Sequence, residues 1–238
     1  MDTYAIDLHI HTALSPCGSE EMTPNNIINM SRLKALDIIA ITDHNAIANV
    51  KPCMEVALQS DLTVIPGIEI TTEEEVHLLA YFSTYDELEA FFCELKKYQA
   101  NLKNRPEIFG NQMIFNSKDV MISEEKNLLM NAIQISFDSA VALINRFNGA
   151  AVPAHINRNS FSVTSSLGFL PQSLPIYCIE LYERNHIENF LLSNPKYREY
   201  KHIISSDAHR LTEILERIFF MELINSTPKE VVNWMKTK

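Results

Sequence analysis

The sequence predicts an α/β fold, a closed or nearly closed (β/α) barrel of about seven core strands. Two observations carry this. Short, almost wholly apolar runs alternate with segments of helical periodicity, the pattern of strands covered on both faces. Several of these runs also finish in His, Asp or Glu, and barrel chemistry sits at the C-terminal ends of the strands.

Tyr4–Thr12 reads as the first strand, and it carries His9 and His11. Side chains two apart on a strand share a face, so both imidazoles converge on one point. A loop comes next, and Thr23-Pro24 marks a helix start, Thr as N-cap and Pro at the first helical position. Asp37–Thr42 is a buried strand that ends in Asp43-His44-Asn45. A helix from Val50 to Leu58 leads to the strand Leu62–Ile70, which ends near Glu69. Strand, helix, strand, helix, strand implies parallel pairing through right-handed crossovers.

Glu73-Glu74-Glu75 reads as a solvated turn, Val76–Phe82 as a strand with His77 near its start, and Leu88–Leu102 as a helix. Residues 105–131 break the alternation, and two apolar stretches joined through Asn116-Ser117-Lys118 resemble a β-hairpin. This stretch is expected to be an insertion between core units that serves as a lid. Ser136 opens a helix that Asn148-Gly149 ends, with Gly149 expected to supply the left-handed cap. Ala150–His155, Ile176–Leu181 and His202–Asp207 are further strands, the last leading into Ala208-His209. Ile218–Leu223 and Pro228–Met235 close the chain as strand and helix. Residues 1–238 are expected to form one domain.

Hydrophobic residues at 46% and charged residues at 21% describe an ordinary globular chain. No apolar run approaches the length of a membrane span and no leader pattern opens the sequence, so a cytoplasmic protein without membrane contact is expected. The four cysteines lack a CxxC pair and read as free thiols. A net charge of −10 argues against extended nucleic acid as a partner and leaves open a nucleotide or a short oligonucleotide bound through metal ions.

Of the eight histidines, six fall at or beside expected strand ends: His9, His11, His44, His77, His155 and His209. His186 and His202 lie in polar surroundings and read as surface residues. One strand-end histidine is explained by ordinary hydrogen bonding. Six, accompanied by Glu69 and Asp207, point to metal ions. Imidazole with carboxylate suits Zn, Mn or Fe at a catalytic site and not a thiolate-rich structural zinc. A carboxylate such as Glu69 can bridge two cations, and two metals about 3.5–4 Å apart clamp a phosphoryl group.

The motifs His9-Ile10-His11, Thr42-Asp43-His44, Gly67-Ile68-Glu69, Val76-His77-Leu78, Pro153-Ala154-His155 and Ser206-Asp207-Ala208-His209, in that order, resemble those of the PHP (polymerase and histidinol phosphatase) superfamily. The resemblance runs from residue 4 to about 209. It implies a distorted (β/α)7 TIM-like barrel, two or three divalent ions and phosphoesterase chemistry. Carried over by position, His9, His11, Glu69 and Asp207 hold the first metal; Glu69, His77 and His155 hold the second; His44 and His209 contribute to a third. The first loop departs from the pattern. Many relatives place an Asp after its Ser, whereas here Ser15 precedes Pro16-Cys17-Gly18, so the third position loses a ligand or recruits Cys17, Glu20 or Glu21.

The expected reaction is hydrolysis of a phosphate ester (nucleotide, sugar phosphate or histidinol phosphate type) by a metal-bridging hydroxide. His209 or His44 would serve as general acid if the third ion is absent. Arg158, three residues beyond His155, is the expected phosphate fork, with Arg210 and Arg184 as alternatives. Phe161, Phe115 or Tyr182 would stack on a base if the substrate is a nucleotide, and for any one of them core or lid packing is the ordinary role. Competing readings are a short-oligonucleotide exonuclease, a non-catalytic metal-stabilised accessory module, and a C–N hydrolase on a similar metal barrel.

Overall fold

The computed structural model describes residues 1–182 and 187–238. In chain order the elements are β1 (Asp2–Ile10), α1 (Pro24–Leu33), β2 (Ile38–Ile41), α2 (Val50–Ala57), β3 (Thr63–Thr71), β4 (His77–Tyr81), α3 (Tyr85–Leu95), α4 (Pro106–Phe109), β5 (Met113–Phe115), β6 (Met121–Glu124), α5 (Phe137–Arg146), β7 (Ala150–Pro153), α6 (Val163–Ser166), β8 (Cys178–Leu181), α7 (Ile187–Ser193), β9 (Lys201–Ile204), β10 (Phe220–Leu223) and α8 (Pro228–Lys236). Among the described residues no helix is long and apolar enough to cross a membrane.

The strands form a curled six-stranded sheet in the order β10-β1-β2-β3-β4-β7, with β8 and β9 as a separate parallel pair. Backbone hydrogen bonds link this pair to the sheet at the strand ends. Ile156 N–H donates to the Glu180 carbonyl at 3.0 Å, and His11 N–H donates to the Ala208 carbonyl at 2.9 Å. The β1-β2-β3 run is parallel, as the alternation with helices requires. The rest of the sheet departs from an all-parallel barrel: β4 is antiparallel to both β3 and β7, and β10 is antiparallel to β1. Only the short turn at residues 72–76 separates β3 from β4, which leaves no room for a crossover helix.

β2 shows why the sheet is covered on both sides. Ile38 and Ala40 pack with Ile6, Leu8, Ile65 and Val152 and receive Val231, Val232 and Met235 of α8. Ile39 and Ile41 face the opposite way and pack with Ile27 and Ile28 of α1 and with Val50 and Cys53 of α2. A strand's two-residue period assigns alternate side chains to these two groups.

Helix starts obey the sequence signals. The Thr23 hydroxyl accepts from Asn26 N–H ahead of Pro24, Thr84 and Glu87 form a capping box, and Ser136 caps α5. Glu74, expected to be solvated, also accepts from Phe137 N–H at 2.9 Å. The helix expected to reach Leu102 stops at Leu95 and passes into a 3-10 turn that ends at Tyr98. After α5 the left-handed residue is Asn148, φ +62°, and not Gly149. Asn tolerates that region. Gly149 is needed for space, because a Cβ there would lie 2.6 Å from the Phe82 ring.

The hairpin expected within residues 105–131 is present as β5 and β6. It is anchored on the first loop and on α1. Asp119 accepts from the Thr23 hydroxyl and Asn25 N–H, Met113 N–H donates to Ala13 O, and Phe115 N–H donates to Asn49 Oδ1. A Cβ at Gly110 would lie 2.2 Å from the Pro16 carbonyl, so this backbone presses directly on the first loop. Phe115 is buried there, and Glu20 accepts from Asn111 Nδ2 at 2.7 Å.

Candidate metal centre

The end of β1 delivers His9 and, one residue beyond the strand, His11. Glu69 comes from β3 and His44 from the residues just after β2. His77 is the first residue of β4, which the reversal of that strand sets opposite Thr71 at the finish of β3. β7 runs back beside β4 and places His155 on the same face, two residues after the strand. His155 at φ +31° and Asp207 at φ +51° are in a region uncommon for such residues.

Glu69 is fully buried at the middle of the group. Its Oε1 lies 2.9 Å from His77 Nδ1, 3.4 Å from His9 Nε2 and 3.5 Å from His155 Nε2. Its Oε2 lies 2.9 Å from His44 Nδ1 and 3.3 Å from His11 Nε2. Asp207 Oδ1 stands 3.3 Å from His9 Nε2 and 3.2 Å from His11 Nε2. Among the described residues, three overlapping sets of donors cluster closely enough to share an ion: His9, His11 and Glu69; His44, Glu69 and His77; His11, His44 and His209.

The outer hydrogen bonds orient these donors. His9 Nδ1 contacts both Glu180 oxygens, at 3.0 and 3.1 Å. His11 Nδ1 meets Ser15 Oγ at 2.9 Å, and that hydroxyl donates to Asp43 Oδ1 at 2.7 Å, so it accepts from His11. Asp43 is itself held by Thr12 N–H and the Thr12 hydroxyl. With Nδ1 donating outward, His9 and His11 direct their Nε2 atoms inward, 3.1 Å apart, where a cation or a proton would be held. Such carboxylate-to-histidine partners fix the tautomer of metal-binding imidazoles.

Both Glu69 oxygens, both His155 ring nitrogens and His44 Nδ1 are buried without a hydrogen-bond partner of good geometry, although several stand at ion-pair distance. Unsatisfied buried carboxylate and imidazole atoms are costly in a protein that offers nothing further. Divalent cations fit this donor set and would satisfy it.

Without an ion, protons take that role. Burial pushes His11 and His44 down, but the neighbouring carboxylates outweigh it and raise both to about 9; His9 moves up for the same reason. Burial would raise Glu69 and Asp207, yet the surrounding imidazoles hold both carboxyls well below the usual range. His77 falls to about 4 and His209 to about 3, burial being the main cause in each. His11 and His44 therefore stabilise the ion-free fold fully below pH 6.5, and lose that contribution as pH rises through about 9. Cation loading at pH 7 should then release up to three protons per chain, from His9, His11 and His44. Calorimetric titration with Mn²⁺ in two buffers of different ionisation enthalpy measures that number; equal heats in both buffers would show that no proton leaves.

The centre opens into a cavity of about 980 Å³ lined by Cys17, His44, His77, Arg158, Phe161, Tyr182, Asp207, His209 and Arg210, among others. Of the 105–131 stretch, Met130 reaches this wall. Arg158 lies over the Tyr182 ring at 4.0 Å and donates to Asp207 Oδ2 at 2.5 Å. Cys17 is exposed at the rim, on the same cavity wall as His44. Arg184 and His186 lie outside the described residues. His202 is half-buried, its Nε2 bonded to the Tyr197 carbonyl at 2.8 Å. Sequence reasoning misses Glu180, Ser15 and Asp43 as site residues. The available signal for Glu180 is one carboxylate inside the apolar run Ile176–Leu181.

A family model described as "PHP domain" matches residues 7–226. Among curated proteins, the chain is 36% identical over 81 residues to uncharacterized protein MJ1587 of Methanocaldococcus jannaschii, covering 29% of this chain and 46% of that one. It is 31% identical over 110 residues to the 5'-3' exoribonuclease Rnm of Escherichia coli, covering 43% of this chain and 36% of that one. Among solved structures, endonuclease Q of Pyrococcus furiosus superposes with a TM-score of 0.71 at 18% identity, over 99% of this chain and 56% of that one. The chain thus spans less than half of each of these curated relatives.

The expected exclusion of extended nucleic acid is overturned by this comparison. Endonuclease Q has been solved with a 27-mer duplex whose abasic lesion lies at the active site, and that complex matches this fold with a TM-score of 0.70. Net charge sums over the whole surface, whereas phosphates are met locally, by arginines and by cations.

Proposed function

This chain belongs to the PHP domain family, and from that premise we propose that it is a metal-dependent phosphoesterase acting on a nucleotide or nucleic-acid phosphate ester. The carrying observation is the convergence of six histidines, Glu69 and Asp207 beneath a cavity that also holds Arg158. His9, His11, Glu69 and Asp207 would hold one ion and Glu69, His77 and His155 a second. His44 and His209, with the Cys17 thiol in reach of the same rim, would hold a third. Bound there, divalent cations supply activation of water at neutral pH and neutralise charge on the phosphoryl oxygens.

The chain's own residues do the rest. Arg158 donates one N–H to Asp207 and keeps the remainder of its fork for a phosphate oxygen, fixing the ester against the donor cluster. The Tyr182 ring beneath it holds the guanidinium plane. In place of the general-acid role expected of His44 and His209, their surroundings favour a ligand role. His44 is turned to Glu69, and His209 Nδ1 lies 2.8 Å from the Asp207 carbonyl, where it donates and leaves Nε2 as a lone pair. We assign both to holding a cation.

The similarity to an exoribonuclease favours a second, narrower reading, removal of nucleotides from a strand end. Assay of Mn²⁺-loaded protein on bis-p-nitrophenyl phosphate, mononucleotides and end-labelled oligonucleotides tests both. Phosphate released from mononucleotides supports a phosphatase, a ladder of shortened strands supports the exonuclease, and no turnover of any ester contradicts both. Arg158→Lys should lower kcat/KM by about 10-fold or more in whichever assay responds, because an ammonium keeps the charge and loses the two-point fork. Unchanged kinetics would remove Arg158 from substrate binding.

A further inference from the structure

Phe161 stands on the cavity wall with 45% of its surface exposed, an unusual position for a Phe beside so buried a cluster. One face of its ring stacks on His77, centroids 4.8 Å apart and planes at 21°. Its backbone is left-handed, φ +53°, a conformation that bulky residues rarely adopt. The surrounding bonds hold it there: the Phe161 carbonyl accepts from His77 N–H at 2.9 Å, and the Ser162 hydroxyl donates to the Arg158 carbonyl at 2.7 Å. The same short segment therefore sets both Phe161 and Arg158 on the cavity.

We propose that the exposed face of Phe161 is the platform for the base of the nucleotide that carries the scissile phosphate. This rests on the phosphoesterase reading and deepens it by naming what selects a nucleotide over a sugar phosphate. The phosphate lies between Arg158 and the donor cluster, and the base lies back along the wall on Phe161. A ring that served only to prop His77 would be covered by protein. This one is rigid, aromatic and open to the cavity. Stacking on a π-face is tolerant of base identity, so the platform selects for a base and not for a particular one.

The test compares 5'-AMP with ribose 5-phosphate on Mn²⁺-loaded protein, by calorimetric Kd, or by KM where the ester is turned over. Wild type should prefer AMP by about tenfold or more, the scale of one base stack. In Phe161→Ala the loss should fall on AMP and bring the two ligands within about twofold, while Phe161→Tyr keeps the preference. Ion content per chain is measured in each variant, so that displacement of His77 would be seen as lost metal. No base preference in wild type, or equal weakening of both ligands in Phe161→Ala, would overturn the proposal. The phosphoesterase reading is scored apart from this, by turnover of bis-p-nitrophenyl phosphate and its loss in Glu69→Gln. A failure there leaves the binding comparison intact.

Discussion

Glu69→Gln should lower ester hydrolysis by about 10³-fold or more and lower the ion content of the purified protein, because one carboxylate would serve two of the proposed positions. The substitution keeps volume and removes charge. Oε1 faces His77, His9 and His155, and Oε2 faces His44 and His11. A glutamine can present one oxygen to one of those sides, and its amide N–H₂ repels a cation on the other. The burial that makes Glu69 effective also makes it irreplaceable, since no bulk water reaches its carboxylate to substitute. Metal analysis and turnover of bis-p-nitrophenyl phosphate on the same preparation check both effects. Full ion content with full turnover would show that the bridging position is not formed by Glu69.

Glu180→Leu should weaken metal affinity by about 10- to 100-fold, the usual cost of removing a partner that orients a ligating imidazole. Glu180 is buried on β8 and holds His9 Nδ1 through both oxygens, while Oε2 also accepts from His155 N–H at 2.9 Å. One carboxylate thus orients a donor of each of the first two proposed positions. Its loss strands a buried ring N–H and a buried amide, each costing about 1–3 kcal/mol. Glu180→Gln should do less harm, since its amide oxygen can still accept from one of the two. Competition with a chromophoric chelator gives the affinities. Equal affinity in wild type and Glu180→Leu would show that His9 needs no such partner.

The donors themselves are legible in the sequence because strand periodicity and motif order are local. His9 and His11 share a face by arithmetic, and buried apolar runs advertise where the next strand ends. The features that stay hidden depend on contacts remote in sequence. The run Val76–Phe82 is equally apolar in either direction, and the antiparallel course that sets His77 beside Glu69 has one local signal, the short turn at 72–76. Glu180 reaches His9 across 171 residues, and Ser15 and Asp43 act on His11 only once two loops meet. The contacts of Asp119 with α1 and of Gly110 with the first loop are likewise invisible in the sequence. Net charge misleads for a different reason: it is a sum over the whole molecule, and a single cavity need not share its sign.

If this constellation holds divalent cations that carry out ester hydrolysis, ions and activity must come and go together. The most direct test is to purify the chain without chelator, count ions per chain, strip them, and track bis-p-nitrophenyl phosphate turnover as Mn²⁺, Fe²⁺ or Zn²⁺ is returned. Two or more ions per chain, with activity lost on stripping and recovered in step with reloading, is the expected result. A chain that binds no ion, or whose turnover is indifferent to ions, would contradict it.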